Sequence, residues 1–279
     1  MDHPIDRTDA GLSRQVLVLV DPLARRADGE SVRIAKDVLC AGAAVKVCLP
    51  EGPEEFAKAL ARRGARRPVV IGDDRALLRA VTLLHREREL SAAVLSMVPV
   101  GGAVSLAHAL GIPAQTVAAA RAALDGAERR LDLLVDDSDG VVLGGLRIPP
   151  VAAPAAGARA VGPPWLRTCR SLVRTLGAGR APAPEPGAAA RLRVEADGVT
   201  LVDLDEPVEG VAVGPATGTG LARVEIRRTA GAPPLRTAAR TVSVSGADFR
   251  YRADDLAVGG PVRRRTWTVQ ASAWGLALP

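Results

Sequence analysis

The chain has 279 residues, of which 48% are hydrophobic and 24% charged, a globular composition and a length that suits one large domain or two small ones. The formal net charge is +6, and aromatic residues make up only 2%. The aromatic shortage argues against a nucleic-acid binder that stacks bases on aromatic side chains, and no basic run is interleaved with aromatics. We therefore expect no nucleic-acid partner. Charged residues break every long apolar run, so no transmembrane helix is expected.

The N-terminal residues and the cysteines indicate a reducing compartment. Residues 1–14 are charged and lack the apolar segment of a secretory signal. The three cysteines are too few and too scattered for a disulfide framework or a zinc site. We therefore expect a cytoplasmic protein.

The first half of the chain alternates short apolar runs with helical patterns. Strands are predicted at 15–20, 45–49, 68–71 and 92–98, and helices at 30–41, 53–63, 76–86, 104–110 and 114–124. This alternation predicts βαβ units around a parallel sheet, an α/β domain over residues 14–127 that follows a tail at 1–13. Ligands of such sheets bind beyond the carboxyl ends of the strands, so the candidate site lies at residues 21–22, 72–74 and 99–102.

The second half has a different pattern, and it predicts an all-β sandwich domain over residues 128–279. Short strands are predicted at 131–135, 141–148, 192–195, 198–204, 211–213, 222–227, 241–245 and 265–270. Turn residues separate them at Asp139-Gly140, Asp197-Gly198 and Ser245-Gly246. One helix, 165–176, interrupts the strands between Pro/Ala/Gly-rich loops at 149–164 and 177–190, where we expect mobility.

Three strand-end loops carry a pattern of glycine, aspartate and proline. They are Asp21-Pro22-Leu23-Ala24-Arg25, Gly72-Asp73-Asp74-Arg75-Ala76 and the stretch from Pro99 to Pro113. They resemble the Asn-Pro, Gly-Gly-Asp-Gly-Thr and Pro-x-Gly-Thr-x-Asn-Asp-x-Ala motifs of the diacylglycerol kinase catalytic-domain family. That family includes bacterial lipid kinases and sphingosine-kinase-like enzymes, and its nucleotide domain is related to those of phosphofructokinases and NAD kinases. The resemblance covers about residues 14–279.

The resemblance implies ATP and Mg²⁺ as cofactors and a lipid hydroxyl as the phosphoryl acceptor. It thereby implies that the protein has a role in phospholipid metabolism. Residues 211–220 and 251–256 resemble two further turns of the family, and the second implies Asp254 as the catalytic base. The implied nucleotide cradle consists of Asp21, Gly72, Asp73, Asp74, Arg75, Gly101 and Gly102. Within this cradle, Asp74 would be the metal-associated carboxylate.

The residues also leave simpler interpretations open. Either Asp73 or Asp74 is suited to cap the helix that begins near Ala76. Asp254 is also compatible with an exposed carboxylate in a turn. Asp73 stands in a glycine position, where its charge opposes a triphosphate unless Arg75 or a metal offsets it.

Every nucleotide loop departs from the family pattern. Asp73 replaces a glycine, and Val104 and Ser105 replace the Asn and Asp of the third motif. This erosion predicts a lipid-kinase-like protein whose activity is weakened or lost. The alternative is a catalytically inactive pseudokinase that keeps its cleft and acts as a binding or regulatory protein. A relative of NAD kinase, which would share only the glycine-aspartate loop, is a third interpretation.

The predicted helix 165–176 is amphipathic, with a basic face formed by Arg167, Arg170 and Arg174. One interpretation is a helix that packs on the core and exposes a solvated basic face. The other is contact with a lipid or membrane surface, which would place the protein at the membrane periphery. A homodimer is compatible with either interpretation.

Overall fold

The computed structural model describes residues 15–149, 189–228 and 232–279. Strands and helices alternate in the first part, as predicted. In chain order they are β1 Gln15–Val20, α1 Pro22–Ala27, α2 Gly29–Gly42, β2 Ala44–Cys48, α3 Pro53–Ala61, β3 Arg67–Gly72, α4 Asp74–Arg86, β4 Val94–Pro99, α5 Ser105–Ala109 and α6 Thr116–Asp125.

Strands β2, β1, β3 and β4 lie side by side in that order, and all of their pairings are parallel. The apolar residues of β1, β3 and β4 are almost all buried, because helices cover a parallel sheet on both faces. Those of β2, at the edge of the sheet, are only partly buried or exposed. Helix α1 was not predicted, since its sequence was interpreted as a loop. It forms because Asp21 caps it and Pro22 occupies its first turn.

The second part consists of strands. They are β5 Ala127–Asp136, β6 Val141–Val142, β7 Leu146–Ile148, β8 Ala190–Ala196, β9 Val199–Val202, β10 Pro207–Ala216, β11 Leu221–Arg228, β12 Leu235–Ala239, β13 Thr241–Ala253 and β14 Ala257–Leu278. Strand β12 was not predicted. The predicted turn at Ser245-Gly246 is wrong: both residues lie inside β13 and pair with β8. Gly246 is required there because a Cβ atom would lie 2.8 Å from the carbonyl oxygen of Arg191.

Strand β14 connects the two parts of the structure. It pairs antiparallel with β13 and β5, and its last residues pair parallel with β4. The register is interrupted between Gln270 and Trp274, where Ser272 has φ 49°. Trp267 therefore lies in the core of the second part, while Trp274 and Leu276 lie in the core of the first. The chain thus has a mixed α/β fold with two hydrophobic cores, and its C-terminal end completes the first of them.

The predicted helix at 165–176, with Arg167, Arg170 and Arg174, lies outside the described residues, as do most of its flanking loops. The lipid-surface contact assigned to that helix therefore stays a prediction. Within the described part of the chain, no helix has the length and apolar character to span a bilayer.

Candidate functional site

Asp21 ends β1 and lies at the predicted edge of the sheet. One carboxylate oxygen accepts a hydrogen bond from the backbone N–H of Leu23 at 2.8 Å. The other forms an ion pair with Nη1 of Arg79 from α4 at 2.9 Å, and Asp21 is buried. The Arg79 guanidinium also lies over the ring of Phe56, 5.5 Å from its centroid. Both oxygens of Asp21 therefore hold the first strand-end loop to helices α1 and α4.

Gly72 allows β3 to end close to this carboxylate. A Cβ atom on Gly72 would lie 2.7 Å from the Cβ of Ala76 and 3.0 Å from the Cβ of Asp21, so no larger residue fits. The next residue, Asp73, caps α4: its Oδ1 accepts from the backbone N–H of Arg75 at 3.0 Å and of Ala76 at 3.2 Å. The interpretation that an aspartate caps this helix is confirmed for Asp73.

Asp74 points the other way and binds the N-terminus of α5. Its two oxygens accept from the backbone N–H groups of Leu106 and Ala107, each at 2.9 Å, and the hydroxyl of Ser105 lies 3.4 Å away. Val104 occupies the N-cap position and has no side-chain acceptor, so Asp74 supplies the capping oxygen from another helix. The carboxylate is fully buried, and this burial raises the pKa of Asp74, although the two amide hydrogen bonds oppose the shift.

Gly101 brings the third loop against the second. The backbone N–H of Val100 donates to the carbonyl of Gly72 at 2.8 Å, and a Cβ atom on Gly101 would lie 3.5 Å from the Cβ of Asp73. Gly101 has φ 120°, a conformation that favours glycine. Gly102 and the side chain of Arg75 are exposed beside this contact. The structure thus brings the predicted cradle residues together at one edge of the sheet.

The residues of this cradle do not fit a magnesium-bound triphosphate. Phosphate groups bind helix N-termini through free backbone N–H groups, but carboxylates of the chain itself already accept from those amides at α4 and α5. Within residues 15–149, 189–228 and 232–279, no three His, Cys, Asp or Glu side chains are arranged to hold a metal ion. The metal role of Asp74 stays a prediction, and its contacts are those of a helix cap.

Asp254 lies away from these loops, at the turn after β13. The interpretation of an exposed turn carboxylate is wrong, because Asp254 is only 6% exposed. Its oxygens accept from the backbone N–H groups of Leu143 at 3.0 Å, Gly144 at 2.6 Å and Gly145 at 3.1 Å. Burial raises the pKa of the Asp254 carboxyl, and the three hydrogen bonds oppose that shift. A turn motif alone does not indicate whether the turn packs against a second loop.

Helix α5 separates the two buried carboxylates. The first backbone N–H groups of α5 donate to Asp74. The side chain of Leu106 packs toward Gly144: a Cβ atom on Gly144 would lie 2.8 Å from Cδ1 of Leu106 and 3.4 Å from Oδ1 of Asp254. Helix α5 therefore contacts Asp74 through its first amides and the surroundings of Asp254 through Leu106.

A cleft of about 570 Å³ opens beside Asp254. Its walls are α5, the Gly144-Gly145 loop and strands β7, β10, β11, β12 and β13, and none of the predicted cradle residues lines it. Its charged lining residues are Arg147, Arg223, Glu225, Arg236, Arg252, Asp254 and Asp255. Sequence analysis missed the four arginines. The alternation of charged and apolar residues in 221–228 was the available signal, but it does not indicate which strands become neighbours.

We predict that Asp74 is needed for stability. Replacing Asp74 with Ala leaves the buried N–H groups of Leu106 and Ala107 without an acceptor, at a cost of about 1–3 kcal/mol each. We expect the free energy of unfolding, measured by chemical denaturation, to fall by about 2–6 kcal/mol. Asp37→Ala removes an exposed i,i+4 ion pair with Arg33 and should change it by less than about 0.5 kcal/mol. Equal effects of the two substitutions would contradict the capping role of Asp74.

The raised pKa of Asp254 predicts a particular pH dependence. The folded chain holds this proton more tightly than the unfolded chain, so ionisation of Asp254 lowers stability as the pH rises from below the ordinary value of 3.8 through the folded-state pKa. The unfolding free energy of wild type should therefore exceed that of Asp254→Asn by the most in acid. This advantage of wild type should shrink toward neutral pH. Urea denaturation at several pH values measures it, with Asp37→Asn as the control. A difference that widens with rising pH would mean a lowered pKa.

Comparison with known proteins gives structural relatives only. No protein-family model and no curated protein matches the sequence. Among solved structures, a diacylglycerol kinase from Bacillus anthracis str. Sterne is 11% identical, with a TM-score of 0.69 over 96% of this chain and 98% of the other. A candidate diacylglycerol kinase from the same organism is 12% identical, with a TM-score of 0.71 over 96% and 98%.

A more distant likeness is to an NAD kinase from Archaeoglobus fulgidus solved in complex with ATP. It is 12% identical, with a TM-score of 0.56 over 94% of this chain and 93% of the other. These identities are low, and the likeness concerns the fold. The chain has the fold of diacylglycerol kinases, as the resemblance of its loops predicted.

Proposed function

We propose that this chain is a diacylglycerol-kinase-like protein that does not transfer phosphoryl groups from ATP and instead acts as a binding protein through its cleft. The observation that carries the proposal is the occupation of helix N-termini by carboxylates. Asp73 accepts from the first amides of α4, and Asp74 accepts from the first amides of α5. Phosphoryl transfer depends on positioning and on neutralising the charge of the phosphates, and this edge of the sheet offers neither.

Electrostatic repulsion adds to the argument from the occupied amides. Two like charges about 4 Å apart near a protein surface repel by about 4 kcal/mol, which corresponds to about a thousandfold in affinity. Asp73 is half-buried beside Gly101 and Asp74 is fully buried behind it, so a triphosphate at this edge would face negative charge. Arg75 is the exposed cation nearest in sequence, and one guanidinium does not offset a triphosphate and a carboxylate together.

One observation favours an active lipid kinase as the second candidate. Asp254 lines the cleft, and a carboxyl whose pKa is raised by burial suits a general base. In that case the acceptor hydroxyl would lie beside Asp254. However, three backbone N–H groups already donate to its oxygens, so it also serves to join the turn after β13 to the Gly144-Gly145 loop.

Nucleotide binding separates the two candidates. We expect calorimetric titration with Mg-ATP to show no binding at millimolar nucleotide, because the helix N-termini are already occupied, and no labelled phosphoryl transfer to mixed lipid acceptors. Micromolar binding with transfer would contradict the proposal. If nucleotide did bind at the strand-end loops, Arg75→Ala should weaken it, whereas Arg86→Ala, an exposed arginine at the far end of α4, should not. Both arginines are exposed, so the fold tolerates either change.

A further inference from the structure

A row of five residues, four of them charged, crosses five strands of the sheet that forms one wall of the cleft. Arg252 of β13 is paired with Arg147 of β7, and Arg147 with Ala212 of β10. Ala212 is paired with Glu225 of β11, and Glu225 with Arg236 of β12. Residues directly opposite one another on neighbouring strands point to the same face of a sheet. All five therefore lie on the face that lines the cleft.

The next row along the sheet is nearly without side chains. Gly214 of β10 is paired with Arg223 of β11, and Gly145 lies so close to Gly214 that a Cβ atom on it would be 3.4 Å from the Cα of Gly214. The Gly144-Gly145 loop thus fills the space beside Gly214, where a Cβ atom would lie 2.8 Å from the carbonyl oxygen of Gly144. Ala212, which lines the cleft with a single methyl group, is the small residue between the arginines.

Three of the four arginines on this face lack an anionic partner. Arg236 forms an ion pair with Glu225 at 2.9 Å, but Arg147, Arg223 and Arg252 form none with any described residue. Arg252 only donates to the carbonyl oxygen of Asp255 at 3.4 Å, and its buried Nε has no acceptor. Like charges directly opposite one another destabilise a sheet, so the Arg147–Arg252 pair is costly unless an anion lies between the two guanidinium groups.

We propose that the cleft binds a phosphate monoester, with the phosphate held by Arg147, Arg223 and Arg252 beside Ala212. Guanidinium forks match phosphate oxygens in pairs, and a dianion uses more than one of them, whereas a carboxylate needs only one. Leu106 and Ala109 of α5 supply an apolar wall for the rest of the ligand. The volume of about 570 Å³ suits a small ligand or a head group. This inference rests on the proposed function, because it names the ligand of the same cleft.

The test is a calorimetric titration of the full chain with three phosphate probes: inorganic phosphate, glycerol 3-phosphate and a monoacyl glycerol phosphate below its critical micelle concentration. Glycerol and the matching monoacylglycerol are the phosphate-free controls. We expect the phosphate probes to bind and the controls not to bind. Tight binding of the lipid with weak binding of the two soluble probes identifies a lipid head group, and equal binding identifies a soluble phosphate ester. Both results support the site.

Single substitutions locate the bound phosphate. Arg147→Ala and Arg223→Ala remove exposed side chains and should each weaken binding by about tenfold to a hundredfold. Arg147→Lys keeps the charge but loses the fork and should fall between wild type and Arg147→Ala. Arg263→Ala, the matched control, removes an 86% exposed arginine of β14 outside the cleft and should leave binding unchanged. Ala212→Leu places a larger side chain between the arginines without changing the charge and should weaken binding at least as much as Arg147→Ala.

Three results would overturn the site: no binding of any phosphate probe at millimolar concentration, equal binding of the phosphate-free controls, or the same loss in Arg263→Ala as in Arg147→Ala. The proposed function fails separately. Phosphoryl transfer from Mg-ATP to lipid would contradict the proposed function and leave the phosphate site standing. Absence of both transfer and phosphate binding would contradict the phosphate site alone.

Discussion

The hydrogen bonds that the first amides of α5 donate to Asp74 connect the strand-end loops to the wall of the cleft. Helix α5 has five residues and no cap of its own, since Val104 precedes it. Asp74 satisfies its amides from inside α4, and Leu106 on the same helix then packs toward Gly144 and Asp254. The cleft wall therefore depends on a carboxylate that belongs to the strand-end loops.

Helix caps and phosphate sites use the same chemistry, which explains how one fold serves either purpose. Both place negative oxygens at the free N–H groups of a helix N-terminus. In this chain Asp21, Asp73 and Asp74 do so at α1, α4 and α5. The helices gain stability from carboxylates of the chain itself, and the edge of the sheet becomes anionic. Among the described residues that line the cleft, Arg147, Arg223 and Arg252 form no ion pair and make this part of the sheet face cationic.

Local sequence patterns predicted the parallel strands, most helices and the meeting of the strand-end loops, because hydrophobic periodicity is a short-range property and the carboxyl ends of parallel strands meet at one edge of the sheet. They did not predict the partner of Asp74, since either aspartate was an equally good cap for the same helix. They also missed the burial of Asp254 and the arginine row. Both depend on antiparallel pairing between residues up to about a hundred positions apart, such as Arg147 with Arg252, and no local pattern fixes that register.

The most direct test of the occupied helix N-termini is amide nuclear magnetic resonance during a titration with Mg-ATP. The resonances to follow are those of Arg75, Ala76, Leu106 and Ala107, whose N–H groups donate to Asp73 and Asp74. We predict that millimolar Mg-ATP leaves these four resonances unshifted, because the carboxylates stay in place. Saturable shifts of these amides would show that nucleotide phosphates replace the carboxylates and would contradict the central claim.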